Sequence, residues 1–75
     1  MSQTYTAILD QEEDLFVALC PELDVSSQGR SLPEALANLQ EAVTLFLEAA
    51  SPEEIEARTH GPIFVTQFEV PARAS

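Results

Sequence analysis

The stretch that decides the fold is SLPEALANLQEAVTLFLEAA, residues 31–50, which has the pattern of one long amphipathic helix. Ser31 and Glu34 form a capping box, and Pro33 lies in the first turn, where its missing N–H leaves no hydrogen bond unmade. Apolar side chains then recur at steps of three and four residues, at Leu32, Leu36, Leu39, Val43, Phe46, Leu47 and Ala50. This spacing predicts a helix of about 19 residues, about 28 Å long, that buries one face.

Three extended segments precede this helix. Residues 4–10 alternate in character and residues 15–20 form a continuous apolar run, which together predict a hairpin whose second strand is interior to a sheet. Pro21 ends the second strand because it lacks an N–H. Residues 25–28 predict a short edge strand, and Gly29 is expected to close it in a turn with positive φ.

Two further elements follow the long helix. Ser51, Pro52 and Glu54 repeat the start signal of a helix and predict a short second helix that runs to about Arg58. Residues 63–70, IFVTQFEV, alternate between two faces and predict a fourth strand.

The element order β-β-β-α-(short α)-β predicts a single small α+β domain over residues 1–75, with an ordered core at about residues 4–70. We expect a four-stranded mixed sheet with the main helix on one face, reached by a right-handed crossover if the last strand is parallel to its neighbour. The second face would be bare and partly apolar. We therefore expect a homodimer or higher homo-oligomer, with Ile8, Phe64 and Val65 as candidate contacts.

Charge narrows the class of partner. The 75 residues include 13 acidic side chains and three arginines, so the formal net charge is −10. Nucleic acids and anionic membranes are bound through Lys and Arg, so we expect neither as a direct partner. The acidic balance favours a basic protein, attracted over long range in a manner that weakens with salt.

Cellular location is inferred from what the sequence contains. Cys20 is the single cysteine, which rules out an internal disulfide and fits a reducing compartment. The sequence shows neither a secretory signal nor an apolar run of about 18 residues. We expect a cytoplasmic protein.

The sequence contains no pattern of catalytic, cofactor-binding or metal-binding residues. Cys20 and His60 are two ligands where structural zinc needs four. Asp10 is the only carboxylate placed as a two-metal nuclease site would need it, and Glu69 has no companion carboxylate. We therefore expect a protein that is not an enzyme.

Glu34, Glu41 and Glu48 recur every seven residues on the polar side of the predicted helix. Charge runs of this kind are usually a solvated face. The alternative is an acidic docking face for a basic partner, and the sequence leaves both interpretations open.

Several segments resemble the HicB antitoxin family. They are VALCPEL at 17–23, SQGRS at 27–31, EAL at 34–36 and EA at 41–42, in the order and spacing that the family shows. The resemblance extends from about residue 4 to about residue 50.

The resemblance implies a partial ribonuclease-H-like domain that binds and blocks a small basic, HicA-like toxin that cleaves mRNA. Many members add a C-terminal DNA-binding module, which we do not expect here because the sequence leaves no room for it. Asp24 and Val25 depart from the family pattern. We therefore expect an antitoxin-like interaction module. The alternatives are a solitary homo-oligomeric HicB-like domain of unknown ligand and a degenerate metal-dependent nuclease.

Overall fold

The structure is a computed structural model and describes residues 3–73; the ends of the predicted domain, residues 1–2 and 74–75, lie outside the described residues. The elements are β1 (Ile8–Glu12), β2 (Leu15–Cys20), β3 (Val25–Gly29), α1 (Leu32–Ala49) and α2 (Pro52–Arg58). The strands form one antiparallel sheet in the order β1-β2-β3. None of the helices in the described part is both long and apolar enough to cross a bilayer.

The predicted four-stranded mixed sheet with one main helix is wrong. The molecule is a small α+β fold with a three-stranded antiparallel sheet and two helices. Residues 63–70 have no strand partner, and Phe64 and Phe68 are both 85% exposed. The alternating pattern describes which faces a strand would present, but it does not encode which strand, if any, the segment pairs with.

The two hairpins follow from the local sequence. β1 and β2 pair with Ile8 opposite Leu19 and Glu12 opposite Leu15, around a tight turn in which Glu13 has φ of 58°. β2 is the central strand, as its continuous apolar run predicts. Asp24 takes φ of 56° in the turn that leads into β3. Aspartate tolerates this left-handed conformation better than most other residues do.

The capping residues start both helices where the sequence predicts. The Ser31 hydroxyl accepts a hydrogen bond from the Glu34 N–H at 3.1 Å, and the Glu34 carboxylate accepts one from the Arg30 N–H at 2.7 Å. The Ser51 hydroxyl accepts from the Glu54 N–H at 3.2 Å in the same way. The bonds to the two serine hydroxyls satisfy amide donors that the first helical turn leaves without partners.

The core lies between α1 and one face of the sheet. α1 packs mainly on β3 and β2 and only slightly on β1. The buried side chains are Ala18, Cys20, Leu23, Ala35, Leu39 and Val43. Because the helix is displaced toward β3, the β1 side of the same face is left partly uncovered.

Gly29 has a different role from the predicted one. No glycine in residues 3–73 has a positive φ, so the expected positive-φ turn at Gly29 is wrong. A Cβ atom at this position would lie 2.6 Å from the Ala35 backbone nitrogen and 2.9 Å from the Glu34 carbonyl carbon. Glycine is therefore required here because the N-terminus of α1 approaches the end of β3 very closely.

Residues 61–73, here called the C-terminal arm, make the molecule elongated. A compact chain of this length has a radius of gyration of about 11 Å. The observed value is 15.2 Å, and the longest principal extent is 54 Å. The predicted contacts Phe64 and Val65 lie in this arm and are 85% and 62% exposed, and Ile8 on β1 is 40% exposed.

Candidate functional site

α1 separates its apolar and acidic residues onto opposite sides. Ala35, Leu39 and Val43 are buried against the sheet, whereas Glu34, Glu41 and Glu48 are exposed. At 1.5 Å per residue, the three carboxylates are spread over about 21 Å of the helix. The structure therefore places all three predicted partner-binding residues along the accessible side of one rigid element.

The three glutamates do not have equivalent surroundings. Glu34 is engaged in the capping box, where its carboxylate accepts the Arg30 N–H. Glu48 lies in the last turn of α1, which contains no basic residue. The C-terminus of a helix carries a partial negative charge, so a carboxylate there is unfavourable until a cation approaches. Glu34, Glu41 and Glu48 are here called the acidic stripe. Within this stripe, Glu41 and Glu48 are the residues that an external basic group would stabilise most.

One of the three arginines is tied to the protein's own backbone. The Arg58 guanidinium donates to the Leu23 carbonyl at 3.1 Å and to the Asp24 carbonyl at 2.9 Å, and lies 5.2 Å from the centre of the Phe46 ring. These contacts fix α2 against the turn between β2 and β3. Sequence reasoning missed this role, since it depends on residues far apart in the chain.

A second feature that sequence reasoning missed is a polar cluster around Glu22. Its carboxylate accepts from the Thr6 N–H at 3.0 and 3.1 Å, from the Thr6 hydroxyl at 2.6 Å and from the Cys20 thiol at 3.5 Å. Its backbone carbonyl accepts the His60 N–H at 2.6 Å. Glu22 therefore connects the segment before β1, the end of β2 and the start of the C-terminal arm.

The cluster shifts two pKa values in opposite directions. Burial opposes ionisation of Glu22, but the hydrogen bonds from Thr6 outweigh it and lower the pKa from its ordinary value of 4.5. Burial raises the pKa of the Cys20 thiol above 9.0, and Glu22 adds to the rise. Cys20 is fully buried and stays protonated, so it is a structural thiol and not a nucleophile.

Glu22→Gln is expected to destabilise the fold by about 1 kcal/mol at pH 7, since a neutral amide is a weaker acceptor for Thr6 than a carboxylate is. The lowered pKa means that this stability is fully present above pH 4.5 and is lost as the pH falls through the pKa of the folded state. Urea unfolding at pH 7, 5, 4 and 3 should show the difference from wild type shrinking below pH 4.5. Exposed Glu12→Gln is the matched control, and a Glu22→Gln deficit that is the same at pH 7 and pH 3 would contradict the mechanism.

The described residues contain no group of three or more histidine, cysteine, aspartate or glutamate side chains that could hold a metal ion. Asp10 is exposed on β1, and Glu69 is exposed in the C-terminal arm. His60 is exposed as well, whereas Cys20 is buried. The structure therefore does not assemble the candidate nuclease carboxylates or the candidate zinc ligands into a site.

A groove of about 460 Å³ lies between α1 and the chain that leads into β1. It is lined by Gln3, Tyr5, Thr6, Ala7, Cys20, Leu36, Leu39, Gln40, Val43, Thr44 and Leu47. None of these side chains is a carboxylate. The groove is thus a neutral, half-apolar recess in a strongly acidic molecule.

The chain was also compared with known proteins. No family model and no curated protein matches it. The resemblance to the HicB antitoxin family accordingly stays a prediction that rests on the quoted segments.

Proposed function

We propose that this chain is a non-enzymatic interaction module that binds and occludes a small basic, mRNA-cleaving toxin, in the manner of a HicB-type antitoxin. The observation that carries the proposal is the exposed acidic side of α1, which includes Glu41 and Glu48 and has no basic residue in its last turn. The net charge of −10 gives the whole molecule the sign that such a partner attracts.

The mechanism is competition for a basic surface. A protein that cleaves RNA must hold phosphates with Lys and Arg, which is an electrostatic contact between a basic surface and a row of negative charges. A rigid helix with carboxylates about 10 Å apart along its axis presents a sparser row of charges of the same sign. Once it is docked, the helix and the sheet behind it exclude the RNA from the same surface.

Two features of the structure make the acidic side of α1 suitable for this contact. The opposite side of the helix is fixed by the buried Leu39 and Val43. The backbone that carries the carboxylates is therefore already ordered, and binding does not have to offset the entropy cost of ordering it. Arg58 is engaged with backbone carbonyls of Leu23 and Asp24 and therefore does not neutralise the stripe.

If a small basic protein is encoded beside this chain, the double substitution Glu41→Lys/Glu48→Lys is expected to weaken its binding about tenfold or more. Each replacement turns an attraction into a repulsion, and the effect should fall mainly on the association rate. Surface plasmon resonance with that purified protein at 50, 150 and 500 mM NaCl measures both affinity and rate. The wild type should associate more slowly as salt rises, because salt screens exposed charges.

The matched control is Glu12→Lys/Asp14→Lys at the exposed tip of the β1–β2 hairpin, which makes the same change in net charge. This variant should bind within about threefold of wild type at 150 mM NaCl, where the Debye length is about 8 Å. Equal binding by the α1 variant and the hairpin variant would show that α1 is not the docking face. If the neighbouring protein does not bind at all, the antitoxin assignment fails.

A second candidate function is a solitary homo-oligomeric domain, which the exposed C-terminal arm favours. In that case no basic partner would be encoded nearby, and the protein would bind its unknown ligand as a homo-oligomer.

A further inference from the structure

The C-terminal arm combines strong exposure with an apolar surface. Phe64 and Phe68 are 85% exposed, Val70 is 72% exposed and Val65 is 62% exposed. Two exposed phenylalanines on one alternating segment form an apolar patch that single molecules of this size rarely leave in water.

The arm is also the neutral part of an acidic chain. Residues 61–75 contain one acidic side chain, Glu69, and one basic side chain, Arg73, so residues 1–60 carry the whole net charge of −10. Two copies of the body therefore repel each other, whereas the arm of one copy can approach the other body without that repulsion.

The groove between α1 and the approach to β1 has matching properties. It has a volume of about 460 Å³, it lacks carboxylates, and Leu36, Leu39 and Leu47 form part of its wall. Leu36 remains 40% exposed although it lies on the apolar side of the helix. The groove exists because α1 covers β3 and β2 and leaves the β1 side open.

We propose that two copies of this chain form a symmetric dimer in which the C-terminal arm of each copy docks in the groove of the other. The arm presents Phe64 and Phe68, four positions apart and on the same side of the alternating pattern, to the leucines of the groove. Because the exchange is reciprocal, a two-fold axis closes the assembly after two copies.

The exposed phenylalanines supply the apolar surface that the docked arms would bury. A phenylalanine buries about 150–250 Å², so four of them at 85% exposure bring about 700 Å² of arm surface out of water.

The arm projects from a body that is well defined without it. The six buried side chains all lie in residues 18–43, and α2 is fixed to the body by Arg58. The start of the arm is fixed by the bond from the His60 N–H to the Glu22 carbonyl. The observed radius of gyration of 15.2 Å, against about 11 Å for a compact chain, reflects this projection away from the molecule's own groove.

Sedimentation equilibrium of the full chain from 5 to 200 µM tests the proposal, with an expected mass of twice 8.2 kDa. The arm variant Phe64→Ser/Phe68→Ser and the groove variant Gln40→Glu/Thr44→Glu should each dissociate at least tenfold more readily. All four positions are exposed, so circular dichroism and urea unfolding should report a folded body in both variants. Ser26→Glu/Gln28→Glu adds the same charge on exposed positions of β3 and should leave the dimer unchanged.

Mixing the two variants distinguishes exchange from other interfaces. The arm variant has an unchanged groove, and the groove variant has an unchanged arm. In their heterodimer the unchanged arm can dock in the unchanged groove, so one of the two contacts is retained. An equimolar mixture should therefore contain more dimer than either variant alone. No gain on mixing would overturn reciprocal exchange, and an arm variant that dimerises like wild type would place the interface elsewhere.

A wild-type monomer over the whole concentration range would overturn the proposal, whether the arm stays free or folds into its own groove. The proposal does not rest on the antitoxin assignment, because it uses the arm and the groove and not the stripe of Glu41 and Glu48. The charge-reversal variant Glu41→Lys/Glu48→Lys should retain the dimer.

Discussion

Leu23→Ala is expected to lower the free energy of unfolding by about 2–5 kcal/mol, the range found when a buried leucine leaves a cavity. Leu23 is 0% exposed and, with Cys20, is the largest fully buried side chain among residues 3–73. The core contains only six buried side chains among the described residues, so few neighbours are available to repack into the cavity. The Leu23 carbonyl also accepts the Arg58 guanidinium at 3.1 Å, so the backbone around the cavity is held and cannot collapse freely.

Urea unfolding followed by circular dichroism at pH 7 measures this effect. The matched control is Leu45→Ala on α1, because Leu45 is 58% exposed and the chemical change is the same. The control should lose less than about 1 kcal/mol, since most of its side chain already contacts water. Similar losses for the two variants would show that Leu23 does not pack in the core as the structure describes.

The helices and the second and third strands could be predicted because their signals are local. Ser31 and Ser51 cap helices at the expected positions, and α1 ends at Ala49, close to the predicted end at residue 50. β3 extends one residue beyond the predicted 25–28. Capping and hydrophobic periodicity involve residues a few positions apart, so one sequence contains all the information they need.

The first strand shows where local information ends. The alternation predicts a strand at residues 4–10, but β1 spans Ile8–Glu12. The Thr6 N–H donates to the Glu22 carboxylate and not to a neighbouring strand, which diverts the chain before β1 begins. The partner lies 16 residues away in sequence, and no periodic pattern reports such a contact.

The same distinction applies to the candidate site. Exposure of Glu34, Glu41 and Glu48 could be predicted, because the side of a helix that carries charge follows from its period. The hydrogen bonds from Arg58 to the turn after β2 could not be predicted, since Arg58 is separated from its two partners by 35 and 34 positions in the sequence. For the polar cluster around Glu22, the sequence offered one signal, the Pro-acidic-Leu motif at residues 21–23. This motif contains both Glu22 and the buried Leu23.

The failed fourth strand has a different cause. Residues 63–70 have the alternating pattern of a strand. In the described chain both outer edges of the sheet, on β1 and β3, are without a further partner, yet this segment pairs with neither of them. The sequence pattern is equally consistent with pairing to the same chain or to another molecule. Only the long-range arrangement decides between them, as it does for every edge strand.

Gly29→Ala is expected to destabilise the fold by about 2 kcal/mol, within the range of about 1–3 kcal/mol for inserting a methyl group into a packed site. The added Cβ would lie 2.6 Å from the Ala35 nitrogen and 2.9 Å from the Glu34 carbonyl carbon, both backbone atoms. No side-chain rotation can relieve such a contact. The N-terminus of α1 must therefore move away from β3, which loosens the fully buried Ala35 and strains the bond between Glu34 and the Arg30 N–H.

Thermal unfolding should show the Gly29→Ala Tm about 10 °C below wild type, since 1 kcal/mol corresponds to about 4–8 °C in a domain of this size. Gly61→Ala is the matched control, because a Cβ there meets nothing within 4 Å. Both substitutions replace a glycine that is flexible in the unfolded chain, so their difference reports mainly the contact in the folded state. A Gly29→Ala variant as stable as Gly61→Ala would mean that α1 does not approach β3 so closely, and the placement of the acidic stripe relative to the sheet would have to be revised.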